Sequence, residues 1–146
     1  MAFLSAMNIS ASGMTAQRMR LDIAAENIAN INTTRTEKGG PYKRKVVSFE
    51  AIDGGNFRQA LQSAAMGTSV QKGVRVAQIT EDERDLKPVY NPNHPDANEE
   101  GYVMMPNVDL IKETIDSMSA SRSYDANLTA FNAIKAMASK ALDIGV

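Results

Sequence analysis

A chain of 146 residues, 43% hydrophobic and 5% aromatic, is one domain's worth, with a modest core to be built mainly from Ala, Met, Ile, Leu and Val. A formal net charge of −1 gives no reason to expect nucleic acid or an anionic membrane as partner, and the absence of cysteine removes disulfides, thiolate catalysis and cysteine-based zinc sites. No apolar run approaches the ~20 residues that span a bilayer, and the stretch from Met1 to Asn8 lacks the basic start and apolar core of a cleavable signal.

Residues 3 to about 33 read as a first helix. Leu4, Met7, Ala11, Met14, Arg18, Leu21, Ala25 and Ile28 are spaced alternately by three and four, a heptad seam in which only Arg18 is polar. Ser5 or Asn8 is placed to cap its start. Gly13 is a weak point, costing about 1 kcal/mol relative to Ala in a helix interior. Asn30, Asn32, Thr33 and Thr34 end the pattern, because short polar side chains compete for backbone hydrogen bonds. Gly39, Gly40 and Pro41 then make a turn.

The middle has a different texture. Lys45–Phe49 and Gly73–Ile79 read as short strands, with Val74, Val76 and Gln78 on one face of the second. The basic run Lys43-Arg44-Lys45 reads as a solvated strand edge. Phe57 to Met66 is compatible with a short helix or a loop. Residues 80–100 hold four closely spaced acids and three prolines, a composition for an extended, turn-rich loop. Tyr102–Met105 reads as a last strand, stopped by Pro106.

A second long helix is expected from Val108 to about Leu142, with Asn107 as N-cap and Asp109 in the first turn, where the helix dipole favours a carboxylate. Its apolar positions are Ile111, Ile115 and Met118, then Tyr124, Leu128, Phe131, Ile134, Met137, Ala141 and Ile144. The seam breaks at Ser119–Ser123, where small residues permit close approach of a neighbouring helix.

Signals for chemistry are thin. His94 is the sole histidine, and a metal reading with Asp96, Glu99 and Glu100 lacks a second ligand at helical spacing, so a loop-shaping role is expected. Glu81 and Glu83 lie in a stretch that reads as solvated, without the burial that acid–base work by paired carboxylates requires. Gly39-Gly40 and Gly54-Gly55 lack the setting of a phosphate loop. No enzyme activity, metal or cofactor is expected. The motif Asn27-Ile28-Ala29-Asn30 admits two readings: a helix C-terminus with polar caps, or amides that tie the helix to a partner chain's backbone.

These stretches resemble a known family. Ser12-Gly13-Met14, Arg20-Leu21-Asp22 and Ala25-Glu26-Asn27-Ile28-Ala29-Asn30-Ile31-Asn32-Thr33-Thr34 look like the N-terminal signature of the bacterial flagellar basal-body rod proteins. Gly101-Tyr102-Val103, Pro106-Asn107-Val108-Asp109 and Ala120-Ser121-Arg122-Ser123-Tyr124-Asp125-Ala126-Asn127 look like the family's closing helix. The stretch from Val89 to Ala97 narrows the similarity to subunits of the proximal rod, as does the short middle. The resemblance covers roughly 4–50 and 73–144 and is weak over 51–72. Thr114 departs from it, standing where the family usually has Met.

The resemblance implies a mainly α fold with a small β region. Long N- and C-terminal helices pair as a coiled-coil-like D0 assembly domain, 1–35 and 107–146, joined by a strand-and-loop middle, 36–106. It implies a structural subunit that polymerises helically into the drive shaft carrying motor torque to the hook, across the periplasm. Such subunits leave through the flagellar type III export apparatus without a cleaved signal. The implied partners are the chain itself, other rod subunits, the MS ring and its rod adaptor protein, with no nucleic acid and no small-molecule substrate. Helix packing in assembly is expected to use Leu4, Met7, Ala11, Met14, Leu21, Ile28, Ile111, Ile115, Met118, Tyr124, Leu128, Phe131 and Ile134, with Asn27, Ala29, Asn30, Asn107, Asp109, Arg122 and Asn127 as motif residues. Because isolated helices are marginal in water, the ends are expected to order on assembly. A soluble coiled-coil adaptor forming a closed oligomer is the alternative reading; a wall hydrolase using Glu99 or Glu100 would need a cleft with a buried carboxylate.

Overall fold

The computed structural model describes residues 2–37, 39–52, 61 and 72–143. The fold is mainly helical with a small β part. Its order is α1 (Ala2–Ala29), β1 (Lys45–Ala51), β2 (Val74–Glu81), β3 (Lys87–Tyr90), β4 (Tyr102–Met105) and α2 (Leu110–Asp143). At 28 and 34 residues the helices run about 42 and 51 Å. Ser5 and Asn8 lie inside α1 rather than at its start. Asn30 closes its end: its Nδ2 donates to the Glu26 carbonyl at 3.0 Å, and its Oδ1 accepts the Thr33 hydroxyl at 3.1 Å. The expected turn follows, with the Thr36 N–H bonding the Gly40 carbonyl at 2.9 Å; Gly39 and Gly40 take φ of 82° and 81°, which a β-carbon resists. The possible helix or loop over 57–66 lies outside the described residues, apart from Leu61.

The strands form two two-stranded sheets, β1–β2 and β3–β4. Bonds from Ile52 N–H to Gly73 C=O and from Asp82 N–H to Arg44 C=O bracket the first pair and make it antiparallel. The second is antiparallel in the register Lys87↔Met105, Pro88↔Met104, Val89↔Val103, Tyr90↔Tyr102. β3 falls inside the stretch expected to be loop, because Pro88 discourages a strand reading. The bond from Asn91 N–H to Gly101 C=O explains why proline is tolerated. It sets the alternation so that Pro88 occupies a non-hydrogen-bonded position, where its missing N–H would point away from β4.

The chain divides into two compact units: 1–19, 49–77 and 120–146 in the first, and 20–48 with 78–119 in the second. In the first unit α1 buries Ser10, Gly13 and Ala16, and α2 buries Ala120 completely. An added β-carbon on Gly13 would meet the Asn127 side chain at 2.8 Å, so the residue that is poor for helix propensity permits the helices' close approach. Ser12 Oγ donates to Ile9 C=O at 2.7 Å and accepts Val74 N–H at 3.1 Å. A β-carbon on Gly73, at φ 122°, would fall 2.2 Å from that oxygen.

In the second unit the helices are antiparallel, with Arg20 ion-paired to Asp116 and Asn27 hydrogen-bonded to Glu113. Ala24, Tyr42, Val103 and Val108 are its buried hydrophobic residues.

The buried line differs from the heptad. On α1 it runs through Ser10, Gly13, Ala24 and Asn27, each one residue before an expected seam position, and Ala16, two before Arg18. Met7, Ala11, Met14, Leu21 and Ile28 are half-buried, and Leu4 is 64% exposed. On α2 the inward residues in the second unit are Glu113 and, half-buried, Asp116 and Ser117, while Ile111, Ile115 and Met118 point outward. Small and polar side chains allow the closer approach, and large aliphatic ones are displaced to the flanks.

Candidate functional site

The two asparagine motifs, some eighty residues apart in sequence, converge on one dipeptide in the second unit. Asn27 is 1% exposed and uses its full hydrogen-bonding capacity. Its Nδ2 donates to Lys45 C=O and to Glu113 Oε2, each at 2.9 Å. Its Oδ1 accepts the Lys45 N–H and the Tyr42 hydroxyl, each at 2.9 Å. The amide thus meets Lys45 as a neighbouring strand would, through both backbone groups. Asn107 does the equivalent one residue earlier: its Oδ1 accepts Arg44 N–H at 2.8 Å, and its Nδ2 donates to the carbonyls of Asp82 and Arg84 at 3.1 and 3.0 Å.

Charge completes the clasp. Glu113, also 1% exposed, accepts Arg44 Nε at 2.6 Å, and Arg44 Nη1 lies 3.6 Å from Asp82 Oδ2. A buried carboxylate is tolerable only when paired and hydrogen-bonded, and Glu113 is both. Lys45 Nζ lies 2.5 Å from Glu26 Oε1 and 5.9 Å from the centroid of the Tyr42 ring. Burial, then the nearby carboxylates of Glu26, Glu113 and Glu81, push the Tyr42 phenol up to about 12. The hydrogen-bonded Arg84 side chain holds Asp82 down at about 2.

Three sequence expectations change here. Asn27 ties α1 to its own chain's β1, not to a partner's backbone. Asn107 is not the N-cap of α2; Asp109 is. Its Oδ1 faces the N–H groups of Ile111 and Lys112 at 3.1 and 3.4 Å, and those groups lower its pKa, Lys112's most. The basic run is not wholly a solvated edge: Lys43 is exposed, but Arg44 and Lys45 are half-buried and paired. Tyr42, Arg44, Asp82 and Glu113 were not foreseen as site residues. The usable signal for Glu113 was its place on the same helical row as Ala120 and Asn127, but that row reads as polar, and periodicity assigns polar rows to solvent.

The remaining candidates are placed as follows. Asn127 is half-buried and donates its amide to Ser123 C=O at 2.8 Å. Tyr124, Phe131 and Ile134 are half-buried; Ala29, Arg122 and Leu128 are exposed. His94 shapes its loop, with Nδ1 accepting Asp96 N–H at 3.1 Å. Among the described residues no group of three or more His, Asp or Glu side chains is placed to hold a metal, and no helix is long and apolar enough to cross a membrane.

The stretches that carry α1, β4 and α2 are matched by comparison with known proteins. The family model "Flagella basal body rod protein" matches residues 7–35, and "Flagellar basal body rod FlgEFG protein C-terminal" matches 99–144. The chain belongs to the flagellar basal-body rod protein family. Within it, the chain is 47% identical to flagellar basal-body rod protein FlgC of Bacillus subtilis over 99% of both chains. It is 40% identical to FlgC of Borreliella burgdorferi over 99% of this chain and 98% of that one, and 41% identical to FlgC of Escherichia coli O157:H7 over 99% of both.

Proposed function

We propose that this chain is a structural subunit of the proximal rod, polymerising helically through its terminal helices into the shaft that transmits motor torque to the hook. The observation that carries this reading is the inversion of the helix faces. Along the helices the most buried positions are small or polar, while large aliphatic ones lie in solvent, with Leu4 64%, Ile111 71% and Ile115 61% exposed. Exposed apolar surface of that kind is characteristic of interaction sites, and contacts that do not close into a ring generate filaments.

On this reading 1–35 and 107–146 form the assembly domain and 36–106 the middle segment. The clasp holds α1 to α2 within the second unit, and the exposed side chains of Leu4, Ile111, Ile115, Met118 and Leu128 meet neighbouring subunits. Those neighbours are further copies, other rod subunits, and the MS ring with its adaptor. Export through the flagellar type III apparatus without a cleaved signal delivers the chain to the periplasm-crossing rod. Passage through a narrow channel favours helix ends that order only on assembly. Nothing in this role calls for catalysis.

The test is the variant Ile111→Ser/Ile115→Ser/Met118→Ser. Thermal unfolding of the purified chain should be nearly unchanged, whereas cells carrying it should build no rod by electron microscopy and fail to swim. Normal rods would overturn the reading. A discrete oligomer of fixed size in the wild-type chain would favour a closed adaptor instead.

A further inference from the structure

Ser12 and Gly13 belong to the N-terminal signature but lie outside the clasp, and three elements of the first unit meet at them. Ser12 faces the start of β2. The Gly73 carbonyl accepts the Ile52 N–H at 2.9 Å. The C=O and N–H of one trans peptide point in opposite directions, so the Val74 N–H of that same peptide turns away from β1. Its acceptor is Ser12 Oγ, at 3.1 Å. Gly73, at φ 122°, lies flat against α1: a β-carbon there would collide with Ser12 Oγ and stand 3.1 Å from Ser12 Cβ and 3.5 Å from Ile9 Cα. Gly13, the next residue along α1, faces α2. A β-carbon on it would stand 2.8 Å from Oδ1, 2.9 Å from Cγ and 3.0 Å from Nδ2 of Asn127. Successive residues of a helix point about 100° apart, so a single turn of α1 reaches both neighbours.

Both contacts are made by side chains pinned to their own helix. Ser12 Oγ donates to Ile9 C=O at 2.7 Å, and Asn127 Nδ2 donates to Ser123 C=O at 2.8 Å. These bonds run back three and four residues, and a helical turn is what brings such groups together. A coil at 9–12 therefore misplaces the acceptor of Val74, and a coil at 123–127 removes the side chain that covers Gly13. Each contact surface exists only once its helix has formed.

We propose that Ser12-Gly13 is a coupling junction, at which α1, the start of β2 and α2 order in one cooperative step. The coupling rests on the reading above that the helix ends order on assembly, and it adds the base of the β1–β2 hairpin to what orders with them.

Hydrogen exchange of assembled rods in rising denaturant reads this step without any substitution. Peptides from 5–19, 72–77 and 120–140 should lose protection at one shared denaturant concentration. In rods built from the full-length Ser12→Ala chain, exchange should quicken roughly five-fold at 72–77 and also at 120–140, on the far side of the junction. Alanine is the better helix former, so a purely local role for Ser12 would leave 120–140 unchanged. Gly13→Ala should quicken the same segments, and adding Asn127→Ala, which makes room for the new methyl, should reverse the change. Protection lost at separate denaturant concentrations, or a Ser12→Ala effect confined to 72–77, would overturn the junction. Protection of all three segments already in the free chain would remove the ordering-on-assembly reading instead; the shared midpoint, measured then on the free chain, would still decide the junction.

Discussion

The two compact units of this chain are built from the same pair of helices but hold them by different means. In the second unit the largest fully buried side chains are Glu113, Val108, Asn27 and Pro106, and the polar ones among them are fully partnered. In the first, among the described residues, the buried hydrophobic side chains are alanines, Ala16 and Ala120, beside Ser10 and Gly13. Gln17 Oε1 is buried there with no hydrogen-bond partner among the described residues. Burying a valine-sized side chain contributes about 1.5–3 kcal/mol and each additional CH₂ about 0.8 kcal/mol, so alanine contacts contribute far less. The difference teaches that close helix approach and self-sufficient stability are separate properties. Among the described residues the second unit holds its helices through partnered polar groups, and the first through a smooth, close contact between small side chains.

The comparison breaks most severely at Glu113. Glu113→Ala removes the nearer carboxylate of Arg44 and one of the four hydrogen bonds of Asn27, and should cost about 3–5 kcal/mol in urea unfolding. Replacing Arg44 and Glu113 together with leucine should cost less than the single change, a coupling that a double-mutant cycle would read. Next is the first unit: Ala120→Leu overpacks a site with no free surface and should cost about 1–3 kcal/mol. If that unit orders on assembly, the loss should appear mainly in assembled material and little in the monomer.

Tyr42→Phe is smaller, about 1 kcal/mol for the lost bond to Asn27. It also has a pH signature. The folded pKa is raised from 10.0 to about 12, so this group's contribution is fully present below pH 10 and lost as pH rises toward 12. That alkaline loss should vanish in Tyr42→Phe. At the other extreme Asp82, lowered from 3.8 to about 2, contributes above pH 3.8 and loses its contribution as pH falls toward 2. Asp82→Asn should flatten that acid limb. The smallest effect on stability, within about 0.5 kcal/mol, belongs to the exposed row Ile111, Ile115 and Met118, whose loss should be felt in assembly alone.

Much of the fold was legible. Helical periodicity outlined both long helices, and the run Lys45–Phe49, the alternation in Val74–Ile79 and the stop at Pro106 located three of the four strands. β3 escaped because proline is penalised without knowledge of register, and Pro88 sits where register makes it harmless. The inner faces escaped because hydrophobic periodicity marks the large aliphatic row, whereas these helices meet along a small and polar one. The clasp was half legible: Asn27 and Asn107 stood out as motif residues. That both grip Arg44-Lys45 depends on a long-range placement that local pattern does not carry.

The central claim is that the clasp holds its own unit in the free chain while the other helix segments order on assembly. Hydrogen–deuterium exchange with mass spectrometry, on the monomer and on assembled rods, tests it directly. Amides of 24–29 and 113–119 should be protected in both states, and those of 5–19 and 120–140 only in the rod. Protection throughout 5–29 and 113–140 in the free monomer would contradict it, describing instead a prefolded helical pair that docks as a rigid body.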